Sequence, residues 1–121
     1  MSAAKAKGTW WESAIVKWLL SRGHTAVERR ALTGAADRGD IAGLAGVVIE
    51  AKNHGTLTLK PWMQELQREV DNDGAVLGLL CAKRKGSTSV EDAYWLIDPR
   101  HVPMVIRAVQ QYQEARSVEA S

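Results

Sequence analysis

Residues 38–52 read Arg38-Gly39-Asp40-Ile41-Ala42-Gly43-Leu44-Ala45-Gly46-Val47-Val48-Ile49-Glu50-Ala51-Lys52, and the fold hangs on this stretch. Two short strands are expected, Asp40 to Ala42 and Val47 to Ala51, joined through the turn Gly43 to Gly46. Val47-Val48-Ile49 is a continuous β-branched run, the pattern of a strand covered on both faces. Side chains alternate along a strand, so Val48, Glu50 and Lys52 share one face while Val47, Ile49 and Ala51 lie opposite. The hairpin turn brings Asp40 beside Glu50. Two carboxylates and an ammonium then meet in one small volume.

Working outward, Gly8 to Arg22 reads as a helix with Trp11, Ile15, Trp18 and Leu19 along one side. Thr9 and Glu12 are spaced as a capping box, and Gly23 is placed to end the helix. Thr25 to Leu32 suits a strand, followed by the flexible run Thr33 to Gly39. Downstream, a second helix is expected from Pro61 to Val70, with Trp62, Leu66 and Glu69-Val70 at three- and four-residue intervals. Ala75 to Cys81 and Tyr94 to Ile97 read as strands, separated by the basic turn Lys83-Arg84-Lys85-Gly86. Pro99 opens a last helix carrying Val102, Val105, Ile106 and Val109. The expected class is α/β, a central mixed sheet of about five strands flanked by helices, in the order α-β-β-β-α-β-β-α.

The 121 residues, 45% hydrophobic and 25% charged, suit a single domain and exclude wholesale disorder; residues 1–7 and 116–121 read as flexible tails. No run approaches the ~20 apolar residues of a membrane span, and the N-terminus lacks the apolar core of a secretory leader. Cys81, the single cysteine, offers neither an internal disulfide nor a thiolate metal site. A reducing cytoplasm is the expected setting. A net charge of +2 leaves nucleic-acid binding to the arrangement of charge rather than its total.

Adjacent carboxylates repel, and one takes up a proton unless a cation lies between them. Magnesium relieves the conflict, because it is a hard ion that prefers oxygen ligands and keeps several waters. A metal so held polarises a phosphoryl oxygen and lowers the pKa of a bound water. Lys52 is placed to orient or deprotonate that water, or to neutralise charge on the phosphate. The plainer alternative is a turn aspartate plus a surface Glu50–Lys52 ion pair, worth roughly 0.2–1 kcal/mol.

With Lys7-Gly8 and Glu12 on the first helix, Gly39-Asp40-Ile41-Ala42, Val48-Ile49-Glu50-Ala51-Lys52 and Asn72-Asp73-Gly74-Ala75, the chain resembles the PD-(D/E)xK nuclease superfamily. Within it, the likeness is to the archaeal-type Holliday junction resolvases, over roughly residues 7–97. The resemblance implies a restriction-endonuclease-like fold, with Asp40 and Glu50 as metal ligands and Lys52 as the catalytic lysine. It further implies that Glu12 reaches the metal directly or through water, with Ala51 also at the metal, and that Mg²⁺ (or Mn²⁺ in its place) is the cofactor. Gly39 departs from the proline of that family, and Asp37 is a competing acid placed in the loop rather than on the strand. The Gln-x-x-x-Tyr motif of RecB-type exonucleases is absent: Arg68 stands four after Gln64 and Asp71 four after Gln67.

Arg29, Arg30, Lys60, Lys83, Arg84 and Lys85 are candidates for a positive rim along a DNA backbone, and Gln64 for a contact to the scissile phosphate. His24, His54 and His101 share no metal-ligand spacing and read as ordinary structural or surface residues. Arg38-Gly39-Asp40 spells an adhesion tripeptide without meaning in an intracellular chain. The expectation is a metal-dependent, structure-selective DNA endonuclease, a Holliday junction resolvase, cytoplasmic and possible as a phage or prophage product. The alternatives are a restriction- or repair-type endonuclease on linear duplex, and a catalytically idle nuclease-fold module that binds DNA or protein. Its partners would be branched or duplex DNA and a second copy of itself. Two symmetric cuts need two sites, and Trp62 and Leu66, or the apolar face of the last helix, offer apolar surface for a dimer, whose ordinary interface buries about 800 Å² per partner.

Overall fold

A computed structural model describes residues 2–31 and 37–120. Helix α1 spans Ala3–Ser21, strand β1 Glu28–Arg29, β2 Ile41–Ala42, β3 Val47–Lys52, α2 Leu59–Asp73, β4 Leu77–Ala82, β5 Tyr94–Ile97 and α3 Val102–Ala120. The order of helices and strands is the expected one, with short 3-10 turns at Val90–Asp92 and Pro99–His101. Leu32, the end of the expected first strand, and Thr33 to Ala36 of the run after it lie outside the described residues.

Helix α1 starts five residues earlier than its apolar pattern, at Ala3 against Gly8. Alanine and lysine in the run Ala3-Ala4-Lys5-Ala6-Lys7 are strong helix formers. Ser2 caps the helix, its Oγ accepting from the Lys5 N–H at 3.1 Å. Thr9 is therefore mid-helix, no capping box forms, and Glu12 is left for other work. Likewise α3 runs to Ala120, so residues 3–7 and 116–120 of the stretches read as tails are helical.

The five strands do not make one sheet. β3, β4 and β5 form a mixed sheet, β3 parallel and β5 antiparallel to the central β4, while β1 and β2 form a separate antiparallel pair. The break falls at Asp40. Its N–H donates to the Ile49 carbonyl at 3.0 Å, one bond of a would-be ladder. The next donor, the Ala51 N–H, goes to the Asp40 carboxylate at 2.8 Å instead of to a main-chain carbonyl. A side chain has taken the place of a strand.

Helices cover both faces of the three-stranded sheet. Trp11, Ile15 and Leu19 of α1 pack with Ile41, Ile49 and Cys81; Trp62, Leu66 and Val70 of α2 pack with Val48, Leu80 and Ala82. Fully burying each such large side chain contributes about 1.5–3 kcal/mol, so these two layers hold the fold. Glycine lets α2 come close: a Cβ on Gly78 of β4 would lie 2.6 Å from Val70 Cγ2 and 3.4 Å from Leu66 Cγ. Trp62 and Leu66 are thus spent in the core, whereas α3 buries none of its described residues. Among the described residues, no helix is long and apolar enough to cross a membrane.

Gly78→Ala is expected to destabilise the protein by about 1–3 kcal/mol through overpacking. Because the clash is with the Val70 methyl, adding Val70→Ala should cost less in the Gly78→Ala background than alone. Denaturant melts of the four-member cycle measure this, and strict additivity would refute the contact.

Candidate active site

Alternation along β3 works as its sequence dictates: Val48 joins the layer beneath α2, and Ile49 joins the layer beneath α1. Glu50 and Lys52 therefore continue the α2-facing side. Asp40 comes from the residue before β2, and Gly39 places it. Gly39 has φ +94°, and a Cβ there would lie 2.9 Å from Val48 Cγ1 and 3.1 Å from the Ile49 carbonyl oxygen. Proline, held near φ −65°, does not fit this backbone, which accounts for the glycine.

Asp40, Glu50, Ala51 and Lys52 line a pocket of about 310 Å³ together with Glu12, Lys7 and Gly8 of α1 and with Asn53 and His54. Asn53 donates to the Lys7 carbonyl at 3.1 Å, tying the loop after β3 to the helix. The four expected catalytic residues thus share one cavity at the carboxyl end of β3. His54, read from sequence as ordinary, also lines this pocket, 5.3 Å from the Trp62 ring.

Glu50 is only 4% exposed and Glu69, on α2, only 1%. Glu50 Oε2 and both Glu69 oxygens are buried without a hydrogen-bond partner among the described residues. Burial first, then Asp40 and Glu69, push the Glu50 carboxyl far above the usual carboxylate range. Burial, with Asp37, Glu65 and Asp40 nearby, raises Glu69 to about 7 against a partial offset from the adjacent Glu50 carboxyl. Glu12 is raised by burial and by Asp40, with Arg29 opposing.

Burial tends to lower the Lys52 pKa, but Glu50, Glu65 and Asp40 outweigh it and hold the ammonium charged. Its nitrogen meets the two Glu65 oxygens at 3.3 and 3.1 Å and lies 5.8 Å from the Trp62 ring centroid. In this arrangement Lys52 is a cation rather than a base. It can orient an oxygen nucleophile or neutralise an anion, two of the three roles its position allowed.

The basic residues divide by location. Arg29 donates to Glu12 at 3.1 Å, and with Arg30 and Lys5 it lines a second cavity of about 220 Å³ that shares Glu12 and Asp40 with the first. Arg30 also stands 3.9 Å from Asp73. The Lys83 N–H donates to the Lys52 carbonyl at 2.9 Å, so the turn from Lys83 to Lys85 adjoins the same end of the sheet. Arg84 lies against the Tyr94 ring at 5.9 Å. Lys60 and Gln64 are exposed on α2. His101 accepts from the Gly78 N–H at 2.9 Å and His24 lines an apolar cavity with Trp18 and Trp95; neither touches the pocket.

Sequence reasoning missed Glu65 and Glu69. One carboxylate oxygen from each of Asp37, Glu50, Glu65 and Glu69 lies within 4.8 Å of the others. Glu12 and Asp40 are not members of this tighter set. Asp37 sits before the strand, as its spacing implied, with its Oδ1 accepting from the Gly39 N–H at 3.0 Å. The signal was present: Glu69 falls in the apolar rhythm of Trp62, Leu66 and Val70, an acid on a core-facing position. No family model, curated protein or solved structure matches this chain.

A folded-state pKa raised above the unfolded value stabilises below the unfolded value and loses that contribution as pH rises through the folded one. For Glu69 this window runs from 4.5 to about 7. Cation-free protein should therefore be less stable at pH 8 than at pH 5, with the coupled acids Glu69 and Glu50 responsible. Glu69→Gln should flatten the slope. Denaturant melts in chelator test this, and an unaltered slope would remove the buried acid from the account.

Proposed function

We propose that the chain is a metal-dependent DNA endonuclease that hydrolyses phosphodiester bonds, of the PD-(D/E)xK type, acting on branched DNA as a Holliday junction resolvase does. The observation that carries the reading is the shared pocket of Glu12, Asp40, Glu50 and a charged Lys52. A surface ion pair accounts for it poorly, since Glu50 is 4% exposed and Lys52 is paired with Glu65. The donor set fits a hard divalent cation, because Glu50 Oε2 is a buried oxygen that no donor among the described residues satisfies.

Asp40, Glu50 and Glu12, with the main chain of Ala51, would hold Mg²⁺ or Mn²⁺ there. The ion supplies charge neutralisation at the phosphate and a bound water of lowered pKa. Asp40 is oriented by the Ala51 N–H, so one carboxylate oxygen stays committed to the fold. Lys52 steadies the attacking oxygen and the charge that builds on the phosphate. The turn from Lys83 to Lys85 and the pair Arg29-Arg30 flank this pocket and suit the backbone of a duplex arm. A cytoplasmic location, whether in a cell or from a phage, accords with the single buried thiol.

Labelled four-way junction and linear duplex, each with and without Mg²⁺, test the activity. Asp40→Asn, Glu50→Gln and Lys52→Ala should each lower the cleavage rate by about 10²-fold or more while DNA binding persists. Cleavage in excess chelator, or at parental rate by any of the three, would overturn the assignment. Preference for linear duplex would favour a restriction- or repair-type enzyme. Binding without any cleavage would favour an idle module.

Two symmetric cuts call for two copies, and α3 is the surface that supports pairing, with Val102, Ile106, Val109 and Tyr112 exposed along it. Sedimentation at micromolar concentration should show a dimer, and Ile106→Asp a monomer. A parental chain that sediments as a monomer would remove the dimer from the mechanism.

A further inference from the structure

We infer that Asp37, Glu50, Glu65 and Glu69 form a second cation site, on the α2 side of β3, that takes a hard divalent ion. Four carboxylate oxygens, one from each residue, lie within 4.8 Å of one another. Ligands on opposite sides of an ion are separated by twice the metal–oxygen distance, about 4.2 Å for magnesium and about 4.8 Å for calcium. The set is already near that spacing without any rearrangement of the backbone.

Acids crowd together on many surfaces, and proximity alone would mean little. What distinguishes this cluster is Glu69. It is 1% exposed, and neither of its oxygens has a hydrogen-bond partner among the described residues; Glu50 Oε2 is in the same condition. Leaving a buried polar atom unsatisfied costs about 1–3 kcal/mol, and more for a charged group. A proton shared between Glu50 and Glu69 serves two oxygens only. A divalent ion held by one oxygen from each residue serves Glu50 and Glu69 together and draws in Asp37 and Glu65, which lie nearer the solvent and provide a way in.

The site differs from the pocket of Glu12 and Asp40 in its ligands, with Glu50 common to both. It also reaches Lys52, because Glu65 is the ion-pair partner of that ammonium at 3.1 Å. An ion that recruits Glu65 loosens this pair and leaves Lys52 to the pocket. The binding claim itself does not depend on DNA cleavage.

Titration of the DNA-free protein with Mn²⁺ at pH 7.5, following the signal of the free ion by electron paramagnetic resonance, tests it. Asp40→Asn should keep one bound Mn²⁺ with affinity within about threefold of the parent. Glu65→Gln combined with Glu69→Gln should weaken that site by at least about tenfold. Glu65→Ala alone, a change nearer the surface, should weaken it in the same direction and guards against a misfolded double variant. Parental stoichiometry and affinity in the double variant, or loss of all binding in Asp40→Asn, would overturn the site. A chain that binds Mn²⁺ in this way yet cuts no DNA would support it while refuting the nuclease reading.

Discussion

The structure turns on one hydrogen bond, from the Ala51 N–H to the Asp40 carboxylate at 2.8 Å. This bond ends the ladder between the small hairpin and β3, so the strands divide into a pair and a trio. It also fixes an acid at the edge of β3, where Glu50 and Lys52 come within reach. Gly39 makes the approach possible, since its φ of +94° carries the chain past Val48 and Ile49 without a side chain in the way. Removing a main-chain partner and installing a carboxylate are one structural event here.

The two covering helices then play unequal parts. Helix α1 contributes a mostly apolar wall, with Trp11 donating its indole N–H to the Cys81 carbonyl at 3.1 Å, and it offers Glu12 at the pocket rim. Helix α2 buries Trp62, Leu66 and Val70 and, in the same rhythm, Glu69. A carboxylate in an apolar layer is costly unless it is protonated, paired or bound to a cation. Its neighbours here are further acids, and the nearby ammonium of Lys52 is engaged with Glu65. The α2 side of β3 consequently gathers buried acids whose oxygens lack hydrogen-bond partners among the described residues.

Lys52 shows how neighbours decide a role that the residue type leaves open. Half-buried among Glu50, Glu65 and Asp40, it keeps its proton despite desolvation. Its contribution to any reaction is then electrostatic and positional, with proton abstraction left to other groups.

Much of this was legible in the chain itself. The order of elements, the helices on both faces, and the opposite outlooks of Val48 and Ile49 all follow from local periodicity, a property of neighbouring residues. The same alternation put Glu50 and Lys52 on one face, and the turn from Gly43 to Gly46 put Asp40 near them. Other features were beyond local reasoning. Alanines and lysines carried α1 back to Ala3, which dissolved the expected capping box and freed Glu12. The five-stranded sheet failed because a side chain outcompeted a carbonyl for one N–H, a contest decided between residues 11 apart in sequence. Trp62 and Leu66 went to the core while α3 stayed uncovered, because Gly78 admits α2 closely and the sheet faces were then filled. Glu65 and Glu69 meet Glu50 only through the packing of α2 on β3, and Asp37 joins them from the segment before Asp40. Sequence determines which residues are acids and which way each strand or helix turns them; only the tertiary structure decides which acids share a volume, because that depends on elements far apart in the chain.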